Sequence, residues 1–121
     1  MKYMLLLYNT SDNMKLESPS ENMGAIMAAH REFAATMIAR GGEFYGEPLH
    51  DPQTARSLRP NGTGELIASD GPFVEIKEFI GGYYVFEAES MDDAVEVGRT
   101  CPTHSGIEIR QIVDLPGLRQ G

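Results

Sequence analysis

The fold is decided by residues 69–90, which read SDGPFVEIKEFIGGYYVFEAES. The Asp-Gly-Pro segment at 70–72 contains three residue types that favour turns, each for its own backbone reason, so we expect a tight corner there. Two glycines at 81–82 then precede the apolar run Tyr-Tyr-Val-Phe at 83–86, which is typical of a strand. Ser90 is followed by acidic residues, the pattern of a helix start. The stretch therefore predicts a corner, a central strand at 82–88 and the beginning of a helix.

Before this stretch, the sequence predicts a strand and a long helix. The first strand is the apolar run at 3–8. Ser18, Pro19 and Glu21 form the start signal of a helix, since serine caps, proline suits the first helical position and glutamate completes a capping box. Apolar residues then recur at helical spacing until two glycines at 41–42 end the pattern. We expect this helix to span about residues 19–40. Its predicted apolar stripe consists of Met23, Ile26, Met27, Phe33, Ala34, Met37 and Ile38.

The remaining elements are shorter. Residues 43–47 predict a strand, and residues 54–59 and 64–69 predict a hairpin that turns at Pro60-Asn61-Gly62, because Asn-Gly supplies positive φ. The second helix is expected to end near Cys101-Pro102, and residues 106–113 predict a last strand. The resulting order, β-α-β-(hairpin)-β-α-β, is that of an α+β protein with a ferredoxin-like split βαβ sandwich and an inserted hairpin.

Both faces of the predicted central strands are apolar. In the first strand, Tyr3, Leu5 and Leu7 alternate with Met4, Leu6 and Tyr8. A sheet covered by helices on one face only would have a polar second face. The sequence therefore predicts that something covers the second face. A second copy of the same sheet, which would make a homodimer, is one way to do this, and a long loop folded over the sheet is the other.

Composition and charge exclude several classes of protein. The chain has 121 residues, which suits one domain, and a net charge of −8, which repels nucleic-acid phosphates. No segment approaches the roughly 20 apolar residues that a membrane span requires. Cys101 is the only cysteine, so no intramolecular disulfide can form, and this fits a reducing cytoplasm. We therefore expect a cytoplasmic protein that binds neither nucleic acid nor membrane.

The residues DGPFVEIKE at 70–78 closely resemble the signature of the DGPF-type proteins of the YCII-related family. The IGGYY run at 80–84, the start of the chain at 2–6 and the IEIR run at 107–110 resemble the same family. Val74, Ile76 and Gln111 depart from its usual pattern in ways that are conservative for the fold. The resemblance implies one domain at residues 1–114 with a tail at 115–121, and a dimeric α+β barrel of ferredoxin-like protomers.

The resemblance implies less about chemistry. Most DGPF-type members have no assigned reaction, although some relatives look like enzymes that act on substituted aromatic rings, including by dechlorination. Others are encoded beside alternative sigma factors, which implies a non-catalytic regulatory accessory as the alternative function. In the wider family, a histidine on the first helix, paired with an aspartate, is proposed as catalytic. His30 lies where that histidine would be.

The residues around His30 also make it the strongest candidate, independently of the resemblance. It lies in the apolar stripe of the first helix, between Met27 and Phe33, where burial favours a neutral imidazole that can act as a general base. The structural alternative is a histidine at the edge of the core, bonded to a backbone carbonyl. The acid that would pair with it is open, because Glu43, Glu47 and Asp70 are all available, and we favour Asp70.

We predict that a small-molecule site is lined by Tyr45, Glu47, Phe73 and Tyr83, with general-base chemistry by His30 on a small cyclic or phenolic compound. The alternative for the Asp-Gly-Pro-Phe segment is a purely structural corner. We expect no metal, because Cys101 and His104 form one weak Cys-x-x-His pair and a zinc site needs three or four converging ligands. We also expect no nucleotide cofactor, since no Gly-rich phosphate loop is present.

Overall fold

Four antiparallel strands form the main sheet in this computed structural model, which describes residues 1–13, 20–74 and 77–118. The elements in chain order are β1 (Lys2–Thr10), α1 (Ser20–Arg40), β2 (Tyr45–Pro48), a short 3-10 helix (Pro52–Thr54), β3 (Arg56–Pro60), β4 (Leu66–Asp70), β5 (Glu78–Glu87), α2 (Met91–Arg99) and β6 (Ile107–Gln111). The main sheet has the order β2-β5-β1-β6, and β3 pairs with β4 in a second, two-stranded sheet. The predicted α+β class is confirmed.

The register of β1 with β5 defines two faces of the main sheet. Tyr3 lies opposite Phe86, and Leu5 lies opposite Tyr84. These side chains belong to the core that also contains residues of both helices, so we call their side the helix face. The intervening residues point the other way, because side chains alternate along a strand. This second face carries Met4, Leu6, Tyr83 and Val85.

The core lies between the helix face and the two helices. Tyr3, Leu5 and Phe86 are at most 1% exposed, and the rings of Tyr3 and Phe86 stack with 6.1 Å between their centroids. Each helix contributes a few side chains to this layer. The remaining buried members of the cluster are Phe33, Met37, Ala88, Ala94, Val97 and Cys101.

Helix α1 buries less of its predicted apolar stripe than expected. Phe33 and Met37 are buried, but Met23 and Met27 are 42% and 45% exposed and Ile38 is 67% exposed. Ile38 follows Met37 directly, which turns it about 100° around the helix and away from the sheet. The helix therefore packs on the core mainly through its second half. The predicted capping residues Ser18 and Pro19 lie outside the described residues.

Helix α2 begins where its cap was predicted. The Ser90 hydroxyl accepts a hydrogen bond of 3.1 Å from the backbone N–H of Asp93. Asp92 and Asp93 lie in the first turn and Arg99 lies in the last, so both ends have charges that oppose the helix dipole. Within the described ranges, no helix has the length and hydropathy that crossing a membrane requires.

The hairpin turn differs from the prediction. The loop spans residues 61–65, with the Asn61 N–H donating to the Glu65 carbonyl at 3.0 Å. Positive φ occurs at Gly62 and Gly64 rather than at Asn61. The Asn61 side chain instead accepts hydrogen bonds from the N–H and hydroxyl of Thr63. Asn61 therefore acts through its side chain in a longer loop, as asparagine commonly does in turns.

Strand β5 begins earlier than predicted and contains a bulge. Leu7 lies opposite Gly82, but Tyr8 lies opposite Ile80, so Gly81 has no partner on β1. A bulge of this kind inserts one unpaired residue and increases the local twist. The bulge allows pairing to continue to Glu78, which the predicted boundary at 82 did not include.

Candidate functional site

The best-defined polar group in the core is the Tyr84 hydroxyl, which lies in a cluster of aromatic rings. The centroid of the Tyr84 ring is 5.1 Å from that of Phe33, 5.3 Å from that of Phe44 and 5.9 Å from that of His30. Helix α1 supplies His30 and Phe33, one turn apart, and the segment before β2 supplies Phe44. We call these four residues the His30 cluster.

Local structure explains how Tyr84 reaches this position. Tyr84 lies on the helix face of β5, opposite Gly46 of β2. A Cβ atom on Gly46 would lie 2.5 Å from the Tyr84 Cδ1 atom and 2.3 Å from the Tyr83 carbonyl oxygen. Only glycine leaves room for the ring against β2. Phe33, which is 5% exposed, fixes the same turn of α1 that carries His30.

His30 and Tyr84 are joined by a hydrogen bond. The His30 Nδ1 atom is 2.8 Å from the Tyr84 hydroxyl oxygen, and the two rings stack with 29° between their planes. Burial raises the pKa of Tyr84 above the ordinary value of 10.0, and the charge interaction with Cys101 raises it further. The Tyr84 hydroxyl therefore keeps its proton at neutral pH. Both groups are half-buried, so the hydrogen bond between them is partly shielded from water.

Asp70 and its corner lie on the hairpin. The Asp70 carboxylate is 92% exposed and lies 3.7 Å from the Arg56 guanidinium. The Gly71 N–H donates to the Ala55 carbonyl at 2.7 Å, and the hydroxyl of buried Ser57 donates to the Gly71 carbonyl at 2.9 Å. These contacts hold the corner against β3. Glu75 and Ile76 of the signature lie outside the described residues.

Phe73 also packs on the hairpin. The Arg59 guanidinium carbon lies 3.6 Å from the centre of the Phe73 ring, and Arg59 donates a hydrogen bond to the Phe73 carbonyl. The ring is 56% exposed, so it covers the arginine rather than filling the core. This geometry is a cation–π contact at an exposed site.

The other predicted binding residues lie on the second face of the main sheet. Tyr45 lies opposite Val85, and Glu47 lies opposite Tyr83. The register places these side chains on the side away from His30. Glu43, a further candidate acid, forms an ion pair with Lys2. The protomer therefore divides the predicted site residues among the His30 cluster, the hairpin and the second face.

Cys101 is a core residue. It is 5% exposed, and burial raises the pKa of its thiol from 9.0 to about 12. A thiol in this state is a poor nucleophile and a poor metal ligand, because both roles need the thiolate. The other residue of the Cys-x-x-His pair, His104, is exposed.

Two shallow grooves lie elsewhere on the surface. One, of about 440 Å³, runs between α2 and β6 and is lined by Met91, Val95, Gly98 and Ile107 among others. The other, of about 560 Å³, lies between the two chain ends and includes Met1, Lys2 and Asp114. Their linings contain no member of the His30 cluster. We regard the cluster as the candidate site because its polar groups are half-buried and hydrogen-bonded to each other.

Two members of this candidate site, Tyr84 and Phe44, were not predicted from the sequence. Their direct neighbours, Tyr83 and Tyr45, were predicted instead, because adjacent aromatic residues in a strand differ only in the face they point to. A signal was present in Gly46, since a glycine in a short strand can mark the close approach of another group. Which group approaches Gly46 depends on the register of β2 with β5.

Two comparisons with known proteins complete the description. The family model of the YCII-related domain matches residues 1–116. An uncharacterized protein of Rhizobium meliloti (strain 1021) is 28% identical over 119 residues, which cover 93% of this chain and 92% of the relative.

Proposed function

This chain belongs to the YCII-related domain family, and from that premise we propose that it is a homodimeric protein that binds a small cyclic or phenolic molecule at the His30 cluster. The enzymatic form of the proposal is proton transfer by His30, with the ligand held beside the ring of the histidine. Ligand sites of this kind are mostly apolar and contain a few convergent polar groups.

The hydrogen bond between His30 and Tyr84 is the observation that carries the proposal. The His30 Nδ1 atom and the Tyr84 hydroxyl lie 2.8 Å apart, and the Tyr84 ring also contacts the rings of Phe33 and Phe44. Met27, which lies one turn before His30 on α1, is 45% exposed, so apolar surface is available beside the pair. A planar apolar ligand with one polar group matches these surroundings.

The residues predicted to assist His30 form the rest of the proposal. Asp70 is the proposed acid, and the proposed lining residues are Tyr45, Glu47, Phe73 and Tyr83. A ligand that contacts Glu47 and Tyr83 would lie on the second face, away from His30 of the same protomer.

The homodimer and the ferredoxin-like barrel are proposed on two grounds. The strand order β2-β5-β1-β6, with one helix after β1 and one after β5, is that expected of a split βαβ sandwich. The second face carries Met4, Leu6 and Tyr83, which are half-buried, and Tyr45, which is 49% exposed. Pairing of this face with a second copy would remove apolar surface from water.

Binding is tested by screening small cyclic and phenolic compounds while the NMR signals of the histidine rings are followed. A His30→Gln variant assigns the His30 signal among the three histidines. We expect ligands to shift His30 in the wild-type protein, and Asp70→Asn to reduce the shift. If Glu47→Gln and not Asp70→Asn reduces it, the acid is Glu47. If no compound shifts His30, the proposal fails and the non-catalytic accessory function is favoured.

The dimer is tested by light scattering of the purified protein. Wild type is expected to have twice the protomer mass, and Leu6→Glu on the second face is expected to have the protomer mass. Ile38→Glu is the matched control, since Ile38 is exposed on α1. A wild-type protein with the protomer mass at micromolar concentration would contradict the homodimer.

A further inference from the structure

We infer that Tyr84 is a positioning residue for His30: its hydroxyl donates to Nδ1 and so holds the neutral imidazole with its proton on Nε2. Tyr84 and His30 belong to the site of the proposed function, and the inference rests on that function only for the role of His30 in binding. The resulting arrangement decides which kind of ligand atom the ring can meet.

The position of the hydroxyl is fixed by packing. Phe33 and Phe44 lie with their centroids 5.1 Å and 5.3 Å from that of the Tyr84 ring, and the Phe44 ring stacks on it at 19°. Gly46 leaves the space the ring occupies next to β2. The ring cannot turn aside without displacing these neighbours. Its oxygen therefore stays 2.8 Å from Nδ1.

The direction of the hydrogen bond follows from the two groups. A phenol is a better donor than acceptor, because its oxygen lone pair is delocalised into the ring. A neutral imidazole has one nitrogen with an in-plane lone pair and one that carries a proton. The raised pKa of Tyr84 keeps its proton in place across the neutral range. The combination favours Tyr84 as donor and Nδ1 as acceptor, and the hydrogen bond at one nitrogen sets the state of the other.

The consequence concerns the second nitrogen of His30. Any group of the protein or of a ligand that lies at Nε2 meets an N–H donor while the ring is neutral. The matching ligand atom is an acceptor, such as a carbonyl, carboxylate or phenolate oxygen. Proton abstraction through Nε2 would instead require the proton to move to Nδ1 and the Tyr84 oxygen to accept a hydrogen bond from it.

The test is the imidazole ¹⁵N spectrum of the full-length protein without ligand, at a pH at which the His30 ring is neutral. In wild type, we expect Nε2 to have the shift of a protonated nitrogen, and Nδ1 the shift of an unprotonated nitrogen that accepts a hydrogen bond. A scalar coupling between Nδ1 and the Tyr84 hydroxyl proton is expected as well. Tyr84→Phe keeps the ring and removes the hydroxyl, so Nδ1 is expected to move toward the shift of a non-bonded nitrogen.

Tyr83→Phe is the matched control, because Tyr83 is the neighbouring tyrosine on the same strand and points to the second face. It is expected to leave both His30 shifts unchanged. A wild-type ring protonated on Nδ1 would overturn the inference without any variant. So would His30 shifts that are the same in wild type and in Tyr84→Phe.

These outcomes are separate from those of the ligand screen. An Nε2-protonated ring that no compound perturbs would uphold the role of Tyr84 and reject the proposed ligand. A ring that binds a compound but is protonated on Nδ1 would do the reverse.

Discussion

Gly46 and Tyr84 face each other across β2 and β5, and the tyrosine ring occupies the space that a side chain at position 46 would need. A Cβ atom there would lie 2.5 Å from the Tyr84 Cδ1 atom and 3.0 Å from the Tyr84 Cα atom. The position of Tyr84, and with it the hydrogen bond to His30, therefore depends on the absence of a side chain at position 46.

Gly46→Ala is expected to lower the free energy of unfolding by ~1–3 kcal/mol, the usual cost of overpacking. The methyl group would meet the Tyr83 carbonyl oxygen at 2.3 Å, so the backbone of β2 or β5 must shift. Urea denaturation measures the stability, and the His30 NMR signal is expected to shift because Tyr84 moves. Gly24→Ala is the control: position 24 lies in α1 with open space around it, and alanine there is expected to stabilise by about 1 kcal/mol. Equal effects of the two substitutions would contradict the close approach at Gly46.

Phe33→Ala is expected to destabilise the protein by ~3–5 kcal/mol, because it removes a buried ring and leaves a cavity next to Tyr84. Ile38→Ala on the same helix is expected to change the stability by about 0.5 kcal/mol or less, since Ile38 is 67% exposed. Chemical denaturation of both variants measures the difference. Similar losses at the two positions would mean that α1 packs on the sheet through a different face.

Ser57→Ala is expected to lower the free energy of opening the corner at Gly71 by about 1 kcal/mol, because it removes the hydrogen bond from the Ser57 hydroxyl to the Gly71 carbonyl. Hydrogen exchange should be faster at the Gly71 amide, which bonds to Ala55. Ser69→Ala is the control, since Ser69 pairs with Ser57 across the hairpin but is exposed. The His30 signal should stay unchanged in both variants if the corner is structural. A shift of His30 in Ser57→Ala alone would instead connect the corner to the site.

Cys101 gives a prediction for alkaline pH. Burial raises the pKa of its thiol from 9.0 to about 12, so below pH 9 the thiol is protonated in both the folded and the unfolded chain. Between these values the unfolded thiol ionises first, and its contribution to stability is lost as the pH rises. Tyr84, whose pKa is also raised, adds a loss of the same sign.

The stability of Cys101→Ala should therefore fall less steeply than that of wild type above pH 9. Urea denaturation at several pH values measures both slopes. Equal slopes in wild type and Cys101→Ala would show that burial does not raise the pKa of the thiol. As an independent check, a thiol reagent at pH 8 should label wild type slowly until urea is added, since the reagent needs an accessible thiolate.

The order of the elements and their types could be predicted because the local signals are strong. The apolar run of β1, the cap at Ser90 and the glycines at 41–42 each have one physical meaning, and the structure has an element boundary close to each. The hairpin turn was harder to predict, because Asn61 can act through positive φ or through its side chain. Only the chain around it decides between the two.

Only part of the candidate site could be predicted from the sequence. His30 was predictable because a histidine in a helical apolar stripe is unusual. Its partner was not, because Tyr83 and Tyr84 are identical and adjacent in a strand that is apolar on both faces. Strand alternation separates the two side chains without saying which one points toward the helices. That information lies in the pairing of β5 with β1 and β2, which no single segment contains.

The bulge at Gly81 has a consequence for how such a chain can change length in evolution. The pairing of β5 with β1 is interrupted at Gly81. One residue gained or lost between the corner at 70–72 and Gly81 can therefore be absorbed at the bulge. The same change after Gly82 would exchange the two tyrosines, turning Tyr84 toward the second face and Tyr83 toward His30. Insertions and deletions are therefore expected before Gly81, while the number of residues from Gly82 to the cap at Ser90 is expected to stay constant.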